Sequence, residues 1–256
     1  MDDFHSIMTG LTIPTTFYFV RHGESEGNVA GKMQGRQEHP LTELGREQAR
    51  ATGEWFAAGG TAVDALYASP LSRAFETAEI IARVAGLPAP QPLPAAMELD
   101  TGRFTGLSFA EIKEQHPQDY REFVAGSWEV VPGAERTASL AGRALETWTA
   151  MVDAAGRARG ETATVMTVTH GGMLQWLFKV TFGTSPDQGA PWMPLVLASN
   201  CAIFEFTARP VRSTDRTGAE LAWYYGQWSR VNFTPAAASS PGAIAREQFQ
   251  GGDTNR

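Results

Sequence analysis

The chain reads as an α/β protein, a mostly parallel sheet with helices on both faces. Three observations predict this. Short apolar runs rich in β-branched and aromatic residues alternate with longer amphipathic stretches along most of the 256 residues, the pattern of strands joined by crossover helices. Two of the short runs, one holding Phe17, Tyr18, Phe19 and Val20, the other Val165, Met166 and Val168, break into the same dipeptide, His22-Gly23 and His170-Gly171. The amphipathic stretches are bounded by residues that start and stop helices.

In chain order, residues 1–15 are expected to form a flexible arm ending at Pro14, with His5 in solvent. The first strand spans 16–21. A loop at 23–40 contains Met33-Gln34-Gly35. Thr42 is the expected N-cap of a helix whose spacing, Leu44, Gln48, Ala51 and Trp55, runs to Gly59-Gly60. A short strand at 65–69 leads through Pro70, suited to a first helical turn, into a helix stopped by Gly86. Arg73 lies in that helix's first turn, where a cation opposes the helix dipole and a bound anion would justify it. A proline-rich connection precedes a segment at 95–135 that reads as a helical insertion over the sheet, a lid, carrying Phe104, Phe123 and Trp128. Within it Ser108 and Glu111 make a capping box. A long helix follows at 137–159, then a strand at 163–169, a helix at 173–182, a strand at 198–206 with Cys201 in the core, and a last strand at 219–233 paired across a turn near 216–218. Residues 235–256 are Ala, Ser, Pro, Gln and Gly-rich and are expected to be disordered.

Composition bounds the function. The hydrophobic share of 43% supports a core. No apolar run nears the roughly 18 residues of a membrane span, and the acidic amino terminus lacks the pattern of a signal peptide. A single cysteine excludes an internal disulfide and a cysteine metal cluster, which fits a reducing cytoplasmic setting. A net charge of −7 without a basic tract argues against nucleic acid as a partner. It leaves small anions open, because a local arginine cluster can oppose the global sign.

If the two strands that end in His-Gly are parallel neighbours, both imidazoles emerge at the carboxyl edge of one sheet, where open α/β sheets bind ligands. The helix after Gly171 would then aim unpaired N–H groups at the same place, which suits an anion.

Several blocks of this sequence, in order, resemble the histidine phosphatase superfamily, the phosphoglycerate mutase-like family. They are RHGESEGN, LTELGREQA, SPLSRAFETA, MELDTGRFTG and VTHGG. The resemblance covers residues 16–207, and KMQGRQEHPLTELG is especially similar to the broad-specificity phosphatase branch. It implies a three-layer phosphatase domain at 16–234 and hydrolysis of phosphate monoesters through a phosphohistidine. In that scheme His22 is the nucleophile and Glu98 protonates the leaving oxygen, then activates water. Arg21 and Arg73 clamp phosphate oxygens with planar forks. His170 stabilises transition-state charge, and Asn28 and Gln34 contact phosphate or substrate. No metal and no cofactor are implied. The partners are a small phosphorylated substrate and inorganic phosphate as product, with no nucleic acid and no membrane. Glu24 competes for the acid role but reads as structural. Glu135 is either a pocket residue or an N-terminal charge for the long helix. Two alternatives remain, a cofactor-dependent phosphoglycerate mutase and a non-catalytic phospho-ligand binding module. The compact MELDTGRFTGLSF segment favours the phosphatase over the mutase. The sequence sets neither the physiological substrate nor the oligomeric state.

Overall fold

The structure, a computed structural model, describes residues 3–125, 128–183 and 196–235. Six strands form one sheet: β1 (Thr15–Arg21), β2 (Ala65–Ala68), β3 (Gln91–Pro92), β4 (Ala163–Thr169), β5 (Ile203–Thr214) and β6 (Glu220–Phe233). Their order is β3-β2-β4-β1-β5-β6. The first four are parallel; β5 and β6 add an antiparallel edge. The helices are α1 (Phe4–Thr9), α2 (Glu26–Val29), α3 (Glu43–Ala58), α4 (Ser72–Ala85), α5 (Phe109–Gln115), α6 (Pro117–Val124), α7 (Thr137–Ala155) and α8 (Gly171–Lys179).

β1 is central because both of its faces are apolar. Phe17 and Phe19 point into a core shared with α1, α7 and α8, and Val20 into one shared with α3 and α4. On the first face Trp148 of α7 is fully buried, and its ring meets Phe4, Phe17, Phe19 and Phe206 edge-on at 4.9 to 5.3 Å between centroids. Edge-on aromatic pairs of this kind contribute about 1 kcal/mol each beyond area burial.

Phe4 belongs to the stretch expected to be a flexible arm, and that expectation is corrected. Asp3 accepts the Ser6 N–H at 2.7 Å and caps α1, and Phe4, Met8 and Leu11 are buried in the first core. A six-residue helix is too short to display a period, so only its i, i+4 apolar pair marked it. Residues 236–256, most of the expected disordered tail, lie outside the described residues.

Other readings shift as well: the long helix α7 stops at Ala155, where Gly156 caps it, rather than at 159. β5 begins at Ile203, not at 198, because Cys201 holds a left-handed backbone (φ 54°) that no strand accommodates. The buried face of α3 is Gln48, Ala49, Thr52 and Phe56, and Leu44 is exposed. α8 starts at Gly171 and ends at Lys179, with a single 3-10 turn over Val180–Phe182. Thr42 and Gly86 cap α3 and α4 as expected, as does the Ser108–Glu111 box on α5.

The 95–135 segment carries a small core of its own, Phe104, Ile112, Phe123 and Val131, with Met33 and Trp128 packed against it. Met33 ties the 32–37 loop to this segment: its N–H donates to Leu107 O at 2.9 Å and its carbonyl accepts from Gly106 at 2.8 Å.

Candidate active site

The parallel register of β1 on β4 ends at Arg21 opposite Thr169. The next residue on each chain is a histidine. His22 and His170 therefore leave the sheet side by side at its carboxyl edge, ring centroids 5.1 Å apart, both buried. The backbone turns at once after His22. A Cβ on Gly23 would lie 2.4 Å from Gly45 O, and one on Gly45 2.0 Å from Glu24 O, so two glycines let the start of α3 press on this turn. Thr77 secures it from α4, accepting the Gly23 N–H at 3.1 Å and donating to Arg73 O at 2.6 Å.

The hydrogen bonds assign the imidazole protons. His22 Nδ1 lies 2.7 Å from Gly23 O. A carbonyl only accepts, so Nδ1 carries the proton and Nε2 the lone pair. Burial, then the charges of Arg21 and Arg73, hold the His22 pKa well below the ordinary 6.5. The ring is held neutral with its lone pair on Nε2. His170 Nε2 lies 2.7 Å from Ser69 Oγ, which already accepts the Leu71 N–H at 3.3 Å. The serine hydroxyl can donate to Nε2, and in that tautomer the His170 proton sits on Nδ1. Burial, then Arg73, His22 and Arg21, lower this histidine's pKa as well.

Arg21 reaches back to the Ala198 carbonyl, and its guanidinium lies over Gly171, the first residue of α8. Arg73, fully buried in the first turn of α4, donates to Gln37 O and Gly35 O at 2.8 Å each. Burial works against both charges and Glu98 supports them. Arg21 Nε, Arg73 Nε and His170 Nδ1 are buried nitrogens with no hydrogen-bond partner among the described residues, the two arginine Nε–H groups being donors by nature and His170 Nδ1 one in the tautomer above. Buried N–H groups seldom go unpaired. Three around one neutral imidazole, beside a helix amino terminus, form a cradle of the kind that suits a tetrahedral oxyanion.

Glu98 stands on the far side. Its Oε1 accepts from Leu99 N–H and Met173 N–H at 3.0 Å each, and its Oε2 from Gly172 N–H at 3.1 Å, so the carboxylate caps α8. Behind it lies Arg143 of α7, which the sequence did not single out. All five of its N–H donors are engaged: Nη1 with Ala95 O (2.9 Å) and Met97 O (2.7 Å), Nη2 with Glu98 O (3.3 Å) and Glu135 Oε2 (2.7 Å), Nε with Glu135 Oε1 (2.8 Å). Glu135 also takes Arg36 at 3.0 Å and Ser139 Oγ at 2.7 Å. Burial raises its pKa, but Arg143, Ser139 and the charge of Arg36 outweigh this and hold the carboxyl below its ordinary range. Glu135 and Arg143 together fix the backbone that carries Glu98.

Asn28 and Gln34 lie on the other flank of His22. Asn28 Oδ1 closes a capping box with Ser25 on α2 and accepts from Asn200 Nδ2 at 3.2 Å, while the same Nδ2 holds His22 O at 3.1 Å. Gln34 Oε1 lies 2.9 Å from Ser25 Oγ, packed so closely on Gly27 that a Cβ there would meet its Cδ at 2.5 Å. The carbonyl ends of both amides are therefore used inside the protein. Glu24 is structural, accepting the Thr42 hydroxyl at 2.8 Å beside the N-cap of α3. Ser69 and Thr77 sit within the SPLSRAFETA block and were open to discovery there. Arg36 sits within the KMQGRQEHPLTELG stretch without being singled out there, and Arg143 and Asn200 carried no local signal.

Among the described residues no helix is long and apolar enough to cross a membrane, and no three His, Cys, Asp or Glu side chains converge as metal ligands would. The chain is 35% identical over 166 residues to a metal-independent phosphoserine phosphatase of Arabidopsis thaliana, spanning 64% of this chain and 67% of the relative. It is 30% identical over 176 residues to a 2,3-bisphosphoglycerate-dependent phosphoglycerate mutase of Brucella ovis, 68% of this chain and 84% of the mutase. Among solved structures, YhfR of Bacillus stearothermophilus superposes with a TM-score of 0.61 at 31% identity, covering 81% of this chain and 94% of its own. The family model of the histidine phosphatase superfamily (branch 1) matches residues 17–214. With the paired histidines at the sheet edge and these relatives together, the chain belongs to the histidine phosphatase superfamily.

Proposed function

We propose that this phosphatase hydrolyses small phosphate monoesters through a phosphohistidine on His22. The observation that carries the mechanism is the cradle: three buried, unpartnered donors facing a neutral imidazole whose Nε2 holds the lone pair. Nε2 attacks phosphorus, the bond to the alcohol oxygen breaks, and Glu98 gives that oxygen a proton. Water then attacks the phosphoryl group and loses its proton to Glu98. The N–P bond breaks, its electron pair returns to Nε2, and inorganic phosphate leaves. Throughout, Arg21, Arg73 and His170 Nδ1–H bind the equatorial oxygens, where the negative charge is spread. The amide NH2 groups of Asn28 and Gln34 are the ends left to face the same oxygens. The arginines supply the positive charge, and His170 a hydrogen-bond donor, where a metal ion would otherwise act.

Residues 16–234 form the phosphatase domain in this reading, with 95–135 as its lid, working in a reducing cytoplasm. The Arabidopsis relative makes O-phosphoserine the first substrate to test. The identity to the Brucella enzyme supports a second reading, a mutase, in which a sugar-acid hydroxyl replaces water as acceptor. Phosphate release from a panel containing phosphoserine and 3-phosphoglycerate, run in chelator with wild type and His22→Ala and with mutase product assayed in parallel, separates the two. Metal-free release by wild type and not by the variant is expected. Isomerised phosphoglycerate without release would move the reading to the mutase, and activity retained in His22→Ala would end both.

A further inference from the structure

We propose that Arg36 is the receptor for a carboxylate on the alcohol half of the substrate. This rests on the phosphatase reading above. The residue's place in the backbone comes first. Arg73 holds the carbonyls of Gly35 and Gln37, the two neighbours of Arg36, at 2.8 Å each. Arg36 Nε in turn approaches Glu98 O at 3.4 Å. Arg36 thus stands between the phosphate clamp and the backbone of the proton donor, which is the side on which the alcohol departs.

The position is rigid. Gly35 has φ 51°, and a Cβ there would meet Thr101 Oγ1 at 2.6 Å, so the loop lies tightly on the 95–135 segment and the root of Arg36 is fixed.

Charge supplies the second argument. Two guanidinium groups, Arg36 and Arg143, share one carboxylate, Glu135. The cluster carries one positive charge in excess. Arg143 cannot offer it, because every N–H it has is bonded within the protein. Arg36 can: its side chain is 37% exposed, and among the described residues its Nη1 has no bonded partner. A planar fork with one edge held and the other open is suited to a second, bidentate carboxylate. The ligand class is therefore a phosphate monoester whose alcohol carries a carboxylate one or two carbons from the ester oxygen, as phosphoserine and 3-phosphoglycerate do.

The test compares kcat/KM for O-phosphoserine and O-phosphoethanolamine, which differ by that carboxylate alone, in wild type, Arg36→Met and Arg36→Lys. Wild type is expected to prefer phosphoserine. Arg36→Met should lower the ratio on the order of 10- to 100-fold, the range of a charged hydrogen-bonded contact, mainly through KM. Arg36→Lys should retain part of it. A wild type that treats both esters alike overturns the proposal and leaves the phosphatase intact. A preference that survives in Arg36→Met overturns the role of Arg36, and so does a ratio that stays constant while both esters slow together. Failure of the phosphatase reading itself would show separately, as turnover that persists in His22→Ala.

Discussion

At the phosphate end of the site, the donors come from strand ends and from the first turns of helices, and they are buried. At the alcohol end of the proposed site the groups come from the 32–37 loop, the 95–135 segment and α7, and one of them, Arg36, is substantially exposed. Backbone geometry fixes the first set: the β1–β4 register alone puts His22 beside His170. Side-chain contacts between distant segments fix the second: Arg36 reaches Glu135, and Arg143, paired with Glu135, holds the carbonyls of Ala95, Met97 and Glu98. In the proposed mechanism the difference ties tetrahedral phosphate recognition to the fold and leaves recognition of the alcohol and delivery of a proton to side chains outside the sheet.

That contrast can be broken by substitution. The largest effect belongs to His22→Ala, expected to reduce turnover at least roughly a thousandfold while circular dichroism shows a retained fold. Arg73→Met should cost on the order of 10² to 10³ in kcat/KM for every ester alike. Arg73→Lys should not restore it, since an ammonium cannot span Gly35 O, Gln37 O and a phosphate; rescue by lysine would reduce the clamp to a simple point charge. At the other end, Arg143→Met should slow alkyl phosphates about 10- to 100-fold and p-nitrophenyl phosphate less, because an activated leaving group needs little help from Glu98. It should also lower stability by about 3 kcal/mol, since Glu135 keeps a largely buried charge without its main partner. Equal slowing of both esters would place the effect outside proton delivery. Ser69→Ala should have a smaller effect, on the order of tenfold, together with a shift of the His170 proton between ring nitrogens seen by nitrogen NMR.

The pH dependence sharpens the comparison at low energy. Both histidines have folded-state pKa values well below the unfolded 6.5. Between those values and 6.5 the unfolded chain binds more protons than the native one, so stability rises with pH in that window and is lost as pH falls through it. Urea midpoints should drop as pH falls below about 6.5. A His22→Ala, His170→Ala double variant should lose much of that slope, and an unchanged slope would show that both rings are charged in the native state.

Legibility in the sequence follows the same division. Strands that end in His-Gly, an arginine two residues into a helix, and a Ser–Glu capping box are local patterns with local causes, and each lands where the sequence puts it. Glu98 was singled out by its block, but the residue that holds its backbone was not: Arg143 sits on the polar side of an amphipathic helix, where arginine is common, and nothing nearby in sequence marks its five acceptors. Glu135 read equally well as a helix-terminal charge. α1 escaped because its helix is six residues long, although Phe4 packs on Trp148 of α7, far along the chain. Cys201 was read as a core residue and is one, but its left-handed backbone, which shifts the start of β5, has no signature in the side chain.

Cys201 has a practical consequence. It is the single cysteine of the chain, and burial pushes its thiol up to about 12. At neutral pH it offers almost no thiolate to a maleimide. The wild-type protein is therefore its own blank for site-directed labelling: a cysteine introduced at exposed Lys113 on α5 would be the one position to take a fluorophore, and motion of the 95–135 segment during turnover could be followed from a single dye without first removing any native residue.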